Sequence, residues 1–341
     1  MKSSRLLLAT AAILAMLAPP IPIGAQDQTS KKAKLEARVE KAASLPPVIW
    51  QDSDPATLDL FYGPGGKDQA PDPIGTYTFV AEDLKQTQPK FDVKDAQGTR
   101  WRVKLGEEAQ PEVAAARLLW AAGYYVDQDY YFDQFKVEGL PKLHRGEKYV
   151  SAGGVVRGAR LKLKSKEYKK LGDWSWFKNP FVGTTQLNGL RVMMALVNNW
   201  DLTANNNAIY PINGQREYVV SDIGASFGST GDVFGRSKGK LGDYEKTKFI
   251  AKTSPQYVDL VMHSRPFFLT AVDVPNYQAR AHIEDITKHI PRADAKWLGQ
   301  RLALLSEDQI HDCFRAAGYS PEQIDAYTKI VQERIAELNA L

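Results

Sequence analysis

Cysteine is nearly absent from this chain: Cys313 is the only one in 341 residues. An intramolecular disulfide framework and any cysteine-based zinc site are therefore excluded, and the fold must stand on its apolar core. Histidine is scarce too. His144, His263, His282, His289 and His311 show no metal-ligand spacing, and His282 and His289, seven apart, have no third ligand beside them. Long apolar runs are missing: the longest, residues 6–18, covers 13 residues, short of the roughly 20 that a spanning helix needs. Neither sign of charge dominates. Lysine and arginine number 44 against 40 acidic residues, a balance that argues against a nucleic-acid partner.

What is present begins with an export signature. Lys2 and Arg5 precede the apolar run, Pro19, Pro20 and Pro22 follow it, and Ala25 stands before Gln26, so residues 1–25 read as a secretory signal peptide. The mature chain is then expected to be exported, periplasmic or extracellular, with no stable membrane span after signal cleavage. No cysteine near the cleavage site offers a lipid attachment point. Hydrophobic residues at 43% and charged ones at 25% describe an ordinary globular protein.

Residues 26–74 form a polar, lysine-rich lead-in and an irregular segment, punctuated by Leu45-Pro46-Pro47 and Gly63-Pro64-Gly65-Gly66. The texture then changes. Residues 76–81, 90–94 and 99–105 alternate apolar and polar side chains, and Asp95-Ala96-Gln97-Gly98 makes a hairpin turn between the last two. Pro111 fits a first helical position, with Val113, Ala116, Leu119 and Trp120 on one face and Gly123 as the stop. Residues 130–137, 148–156 and 159–163 have strand composition. Thr184 or Thr185 caps a helix whose Leu187, Leu190, Met194 and Val197 keep helical spacing up to Asn198. Six glycines between Gly224 and Gly242 mark a loop, and from Pro255 onward the pattern is helical almost throughout. A mostly β first half and a mostly α second half indicate an α+β fold in two lobes, the N-lobe over 75–140 and the C-lobe with a helical C-terminal extension over 141–341.

Five residues in order offer what phosphoryl transfer to a hydroxyl requires: positive charge on phosphates, a metal held by oxygen ligands and an aligned acceptor. Lys104 lies in the strand Trp101-Arg102-Val103-Lys104, and Glu112, eight residues on, can pair with it. Asp201 follows the capped helix, Asn206 stands five residues later, and Asp222 opens Asp-Ile-Gly after a strand. Each has an ordinary reading alone. Lys104 can snorkel from a surface strand, Glu112 suits a helix start by its dipole, and the asparagine run and Asp222 can be turns. Their order and spacing point to a kinase-like site.

The segments 101–123, 199–210 and 219–228 resemble the atypical branch of the protein kinase-like superfamily, which holds HipA-type kinases, phosphatidylinositol 3/4-kinases and secretory-pathway kinases; an exported, bacterial-type member is meant, with the resemblance covering about residues 75–245. It implies a bilobal protein kinase-like fold with a β-rich N-lobe and a helical C-lobe. It also implies ATP or another nucleoside triphosphate with Mg²⁺, and a hydroxyl acceptor on a protein, sugar or lipid. Lys104 would contact the phosphates, Glu112 position Lys104, Asp201 be the catalytic aspartate, and Asn206 and Asp222 bind Mg²⁺. The chain departs from the pattern twice. Asn199-Trp200 replaces the usual histidine-arginine before the aspartate, and no glycine-rich loop stands at the expected distance before Lys104. Residues 85–90 are better placed between two strands, with Thr87 and Lys90 as phosphate contacts. These departures motivate an alternative, a catalytically silent pseudokinase that binds a nucleotide or a partner in the cell envelope. Ser226 in Gly224-Ala225-Ser226-Phe227-Gly228 matches a hydrolase elbow, but glycine-rich loop follows where the elbow requires a helix.

Overall fold

The computed structural model describes residues 23–341 apart from Gln86, 166–168, 232–234 and 265–281. The apolar run of the expected signal lies outside the described residues. Two compact units are present, Met1–Ser44 and Leu45–Leu341. In the first, α1 (Ile23–Ala42) is a polar helix carrying a Lys32–Glu36 pair one turn apart. No helix among the described residues is long and apolar enough to cross a membrane.

The second unit starts with β1 (Pro47–Val48) and short 3₁₀ turns at Pro55–Thr57, Gly63–Gly65 and Lys67–Gln69. The helix thus lies in the polar lead-in, and the segment expected to be irregular up to residue 74 holds a short strand and ordered turns. There follow β2 (Thr76–Asp83), β3 (Lys90–Lys94), β4 (Arg100–Leu105), α2 (Ala109–Ala121), β5 (Asp129–Glu138), β6 (Val150–Ser151) and β7 (Val155–Leu163). β2, β3, β4, β7 and β5 pair antiparallel in that order, and a short parallel register of β5 with β2 closes the ring, leaving β6 outside on β7. Side chains alternate across these strands. Phe91, Val93, Trp101, Val103, Leu161 and Tyr77 fill the interior. The alternate positions Lys90, Asp92, Arg102, Lys104, Arg160 and Lys162 therefore occupy the opposite face. Because β7 belongs to this sheet, the N-lobe runs to Leu163 and not to residue 140.

α2 starts two residues earlier than the proline suggests, with Pro111 as its third residue, and it ends before Gly123, whose φ of 97° reverses the chain. It packs on β5 and β7 on one side and on the helical lobe on the other.

That lobe opens with α3 (Thr185–Leu196), capped by Thr184, whose hydroxyl accepts from the Leu187 N–H at 3.2 Å. The hairpin of β8 (Asn207–Ile212) and β9 (Gln215–Val220) follows, with β1 parallel to β9. Then come α4 (Leu241–Lys246), β10 (Ile250–Thr253), β11 (Tyr257–Leu260), β12 (Ile290–Pro291), α5 (Arg292–Leu302), α6 (Glu307–Arg315) and α7 (Pro321–Asn339). Among the described residues, the helical pattern expected from Pro255 onward is met by a 3₁₀ turn at Ile283–Thr287 and by α-helices from Arg292. Before Arg292, β10, β11 and β12 form a small antiparallel sheet. α6 and α7 each begin with a capping box, Ser306 with Gln309 and Ser320 with Gln323. Tyr327 of α7 stacks on Phe314 at 5.0 Å between ring centres, and Phe227 meets both edge-on. The α+β organisation read from the sequence, a β-rich lobe followed by a helical lobe, is the architecture observed.

Candidate functional site

Strand pairing sets the geometry of the cleft face. Lys90, Lys104 and Arg160 are direct neighbours across β3, β4 and β7, and Asp92, Arg102, Lys162 and Asp129 form the next row across β3, β4, β7 and β5. Three cations side by side repel one another unless carboxylates intervene. They do. Lys104 Nζ donates to Glu112 at 2.8 Å and to Asp222 at 2.9 Å and also pairs with Glu108. The second oxygen of Glu112 accepts from Arg160 at 2.7 Å. Lys104 and Glu112 are fully buried, whereas the Asp222 side chain keeps 32% of its surface exposed.

Burial alone would depress the pKa of Lys104, but Glu112, Asp222 and Glu108 outweigh it and hold the ammonium charged well above its ordinary range. Asp222 is the mirror case: burial would raise it, and Lys104 drives it well below the usual carboxylate range. Lys90 is lowered by burial and by the neighbouring Lys104 charge. Glu108, Glu112 and Asp222 bring carboxylate oxygens within 4.8 Å of one another. Lys104 already sits among those oxygens, so the trio is explained by the ammonium.

The other wall comes from the segment after α3. Asn198 closes the helix in a left-handed conformation (φ 54°), and its amide donates to the Gly228 carbonyl. Asn199 accepts the Asp201 N–H at 3.1 Å, and the Trp200 indole donates to Ser237 O. Asn206 donates its side-chain amide to the Asp201 backbone carbonyl at 2.7 Å, and its backbone carbonyl accepts the N–H groups of Ser221 and Asp222. These bonds place the Asp201, Asn206 and Asp222 side chains around one cavity of about 160 Å³, together with Thr87, Lys90 and Glu108. With the Asn206 amide nitrogen committed to Asp201 and one Asp222 oxygen to Lys104, an amide oxygen and a carboxylate oxygen are left for a hard divalent cation, and this donor set fits Mg²⁺.

All seven residues singled out in the sequence, Thr87, Lys90, Lys104, Glu112, Asp201, Asn206 and Asp222, thus line or support one cleft. An adjoining cavity of about 230 Å³ lies against Lys90, Arg102, Arg160, Lys162, Tyr210 and Asp222. No family model matches the chain, and no curated protein does. Among the solved structures similar to it are three of kinases. A Helicobacter pylori proinflammatory kinase, CtkA, aligns at 10% identity over 78% of this chain and 94% of its own, with a TM-score of 0.40. The Golgi casein kinase with Mn/ADP bound aligns at 10% identity over 98% of this chain and 92% of its own, TM-score 0.40. A second structure of the Golgi casein kinase gives 10% identity, 80% and 72% coverage and a TM-score of 0.37.

The sequence reading missed Glu108, Arg160, Lys162 and Lys238. Glu108 accepts from Gln88 at 3.0 Å and pairs with Lys238 besides Lys104, tying the β2–β3 loop and the segment after β9 to the start of α2. The alternation Arg160-Leu161-Lys162-Leu163 was a readable signal, but which face it lay on depended on pairing with β4. Ser226 is buried and donates to the Ile223 carbonyl at 2.7 Å, which removes it as a nucleophile.

Proposed function

We propose that this protein is an exported kinase-like phosphotransferase that moves phosphate from a nucleoside triphosphate such as ATP to a hydroxyl acceptor. Asn206 and Asp222 would hold Mg²⁺, which would neutralise charge on the donor phosphates. Lys104, Lys90 and Thr87 receive those phosphates, and Glu112 keeps Lys104 in place. Asp201 orients the acceptor hydroxyl and takes its proton as the acceptor oxygen bonds to phosphorus and the bond to the nucleoside diphosphate oxygen breaks.

The observation that carries this reading is the junction at Asp222, whose carboxylate bonds Lys104 from the sheet while its backbone bonds Asn206 from the helical lobe. The experiment is transfer of terminal phosphate from Mg·ATP to water and to panels of proteins, sugars and inositol lipids. Wild type is expected to transfer, and Asp201→Asn to lose at least about a hundredfold in rate while retaining donor binding. Equal rates would contradict the role of Asp201.

A second reading, a silent pseudokinase that binds a nucleotide or an envelope partner, is favoured by two features. Three carboxylates already occupy the Lys104 ammonium, and the β2–β3 loop carries no glycine to bring backbone N–H groups onto phosphates. Donor binding without transfer to any acceptor supports that reading.

A further inference from the structure

A cavity of about 220 Å³ adjoins the donor cleft, lined by Trp176, Phe177, Leu202, Thr203, Ala204 and Ile283. Its surface is mainly apolar and aromatic, whereas the cleft beside it is charged. Thr203 lines both, so the chain passes from Asp201 in the cleft into the wall of the apolar cavity within two residues. The walls are tied to the elements of the site. The Trp176 ring packs on Trp174 at 4.9 Å between centres, and the Trp174 indole donates to the Val219 carbonyl of β9, the strand that leads to Asp222. Asn207, at the start of β8, donates its side-chain amide to the Trp174 carbonyl at 2.8 Å. The turn Ile283–Thr287 is held to α3 by Arg191, which donates to the Ile286 and Lys288 carbonyls. These bonds keep the space from collapsing, and an apolar cavity of this size takes one aromatic ring. Phe177 lines it while keeping 58% of its own surface exposed, so the cavity opens to solvent.

Resting on the reading of Asp201 as the group that takes the acceptor's proton, we propose that this cavity is an acceptor subsite and that the acceptor is a polypeptide serine or threonine flanked by an aromatic residue. Lys104, Lys90 and Thr87 are given to the donor phosphates, so the acceptor reaches Asp201 from another side, and Thr203 marks a side that receives an apolar group. The ring lies on one side of Thr203 and the reacting hydroxyl on the other. They therefore belong to separate arms of one molecule, as neighbouring side chains of a polypeptide do. A sugar offers nothing to an apolar wall, and a fatty acyl chain exceeds a cavity sized for one side chain. Burial of an aromatic anchor beside the reacting group then sets the choice of acceptor.

The test uses synthetic peptides with a central serine and phenylalanine, alanine or glutamate at each of the nearby positions in turn. Phosphate transfer from Mg·ATP is measured, and calorimetric binding of the same peptides to the Mg·ATP-loaded protein reads the preference without turnover. The best phenylalanine peptide is expected to exceed its alanine counterpart at least about tenfold in kcat/KM or in affinity. Phe177→Ser removes an exposed ring, and Ala204→Phe fills the cavity from an exposed position. Each variant should cut the preference to about twofold or less and leave the Kd of Mg·ATP unchanged. Equal use and equal binding of the three peptides by wild type overturns the subsite, as does a preference that survives in both variants. Weakened Mg·ATP binding in both variants assigns the cavity to the nucleotide, which overturns the acceptor subsite and leaves the donor site standing. Failure of wild type to bind Mg·ATP overturns the donor site itself, and this inference with it.

Discussion

Glu112 accepts a hydrogen bond from Lys104 on one carboxylate oxygen and from Arg160 on the other, at 2.8 and 2.7 Å, with all three side chains buried. The carboxylate is therefore the counter-ion for two strands at once, and its position fixes where the Lys104 ammonium stands in the cleft.

Glu112→Gln keeps the shape and removes the charge, leaving Lys104 and Arg160 short of compensation in a buried setting. A loss of about 3 kcal/mol in urea-unfolding stability is expected, the size seen when one partner of a buried ion pair is deleted. The double variant Glu112→Gln with Lys104→Met should lose less than the sum of the two single changes. Additive losses would mean that the pair is not coupled.

Asp129 supplies a pH signature. Burial raises its pKa to about 7 against the pull of Arg160, with Glu112, Lys162 and Asp127 as the other charges around it. The folded value lies above the unfolded one, so the native state holds the proton more tightly. Its contribution is fully present below the unfolded carboxyl range near pH 4 and is lost as pH rises toward about 7. Unfolding midpoints of wild type relative to Asp129→Asn should fall across that window and level off above it. A difference that does not vary with pH removes Asp129 from the account.

Gly224 closes the Asp222-Ile223-Gly224 turn against the start of α2: a methyl group there would stand 2.6 Å from the Glu108 Cβ and 3.2 Å from the Glu108 carbonyl oxygen. Gly224→Ala must push Glu108 and Asp222 apart. Destabilisation of about 1–3 kcal/mol is expected, together with weaker donor binding, because both carboxylates hold Lys104. Unchanged stability and binding would show that the turn yields without disturbing the cluster.

Arg334 of α7 donates to the Ala195 and Leu196 carbonyls at the end of α3, to Asn198 Oδ1 and to the Tyr244 and Thr247 carbonyls, while buried over the Tyr244 ring. It closes the helix that delivers Asp201. Arg334→Met strands several carbonyls at once and is expected to cost about 2–4 kcal/mol in unfolding stability, with proteolysis appearing first between α3 and β8. Wild-type stability in this variant would mean that water replaces the guanidinium at no cost.

Local signals carried much of this fold. Alternation marked β3 and β4, Thr184 marked the start of α3, and the five-residue step from Asp201 to Asn206 marked the loop whose hydrogen bond spans that step. What depended on long-range pairing was hidden. The parallel closure of β2 on β5 involves three residues of each strand, too few to leave a pattern. β11, four residues long, is too short for its alternation to stand out against the helical pattern expected from Pro255 onward. Arg160 and Lys162 alternate legibly, yet only their register with Lys104 and Arg102 shows that they face the cleft. Lys104 and Glu112 were legible as a pair because the helix follows the strand after a short turn. The third and fourth partners of that pair, Asp222 and Arg160, come from 118 and 48 residues away.

The most direct test of the central claim is calorimetric binding of Mg·ATP to the purified protein, comparing wild type with Asp222→Ala. The account predicts saturable, Mg²⁺-dependent binding by wild type and a loss of at least about thirtyfold in affinity on removing the carboxylate that joins Lys104 to the Asn206 loop. Equal affinity in the two proteins, or no binding by either, would contradict it.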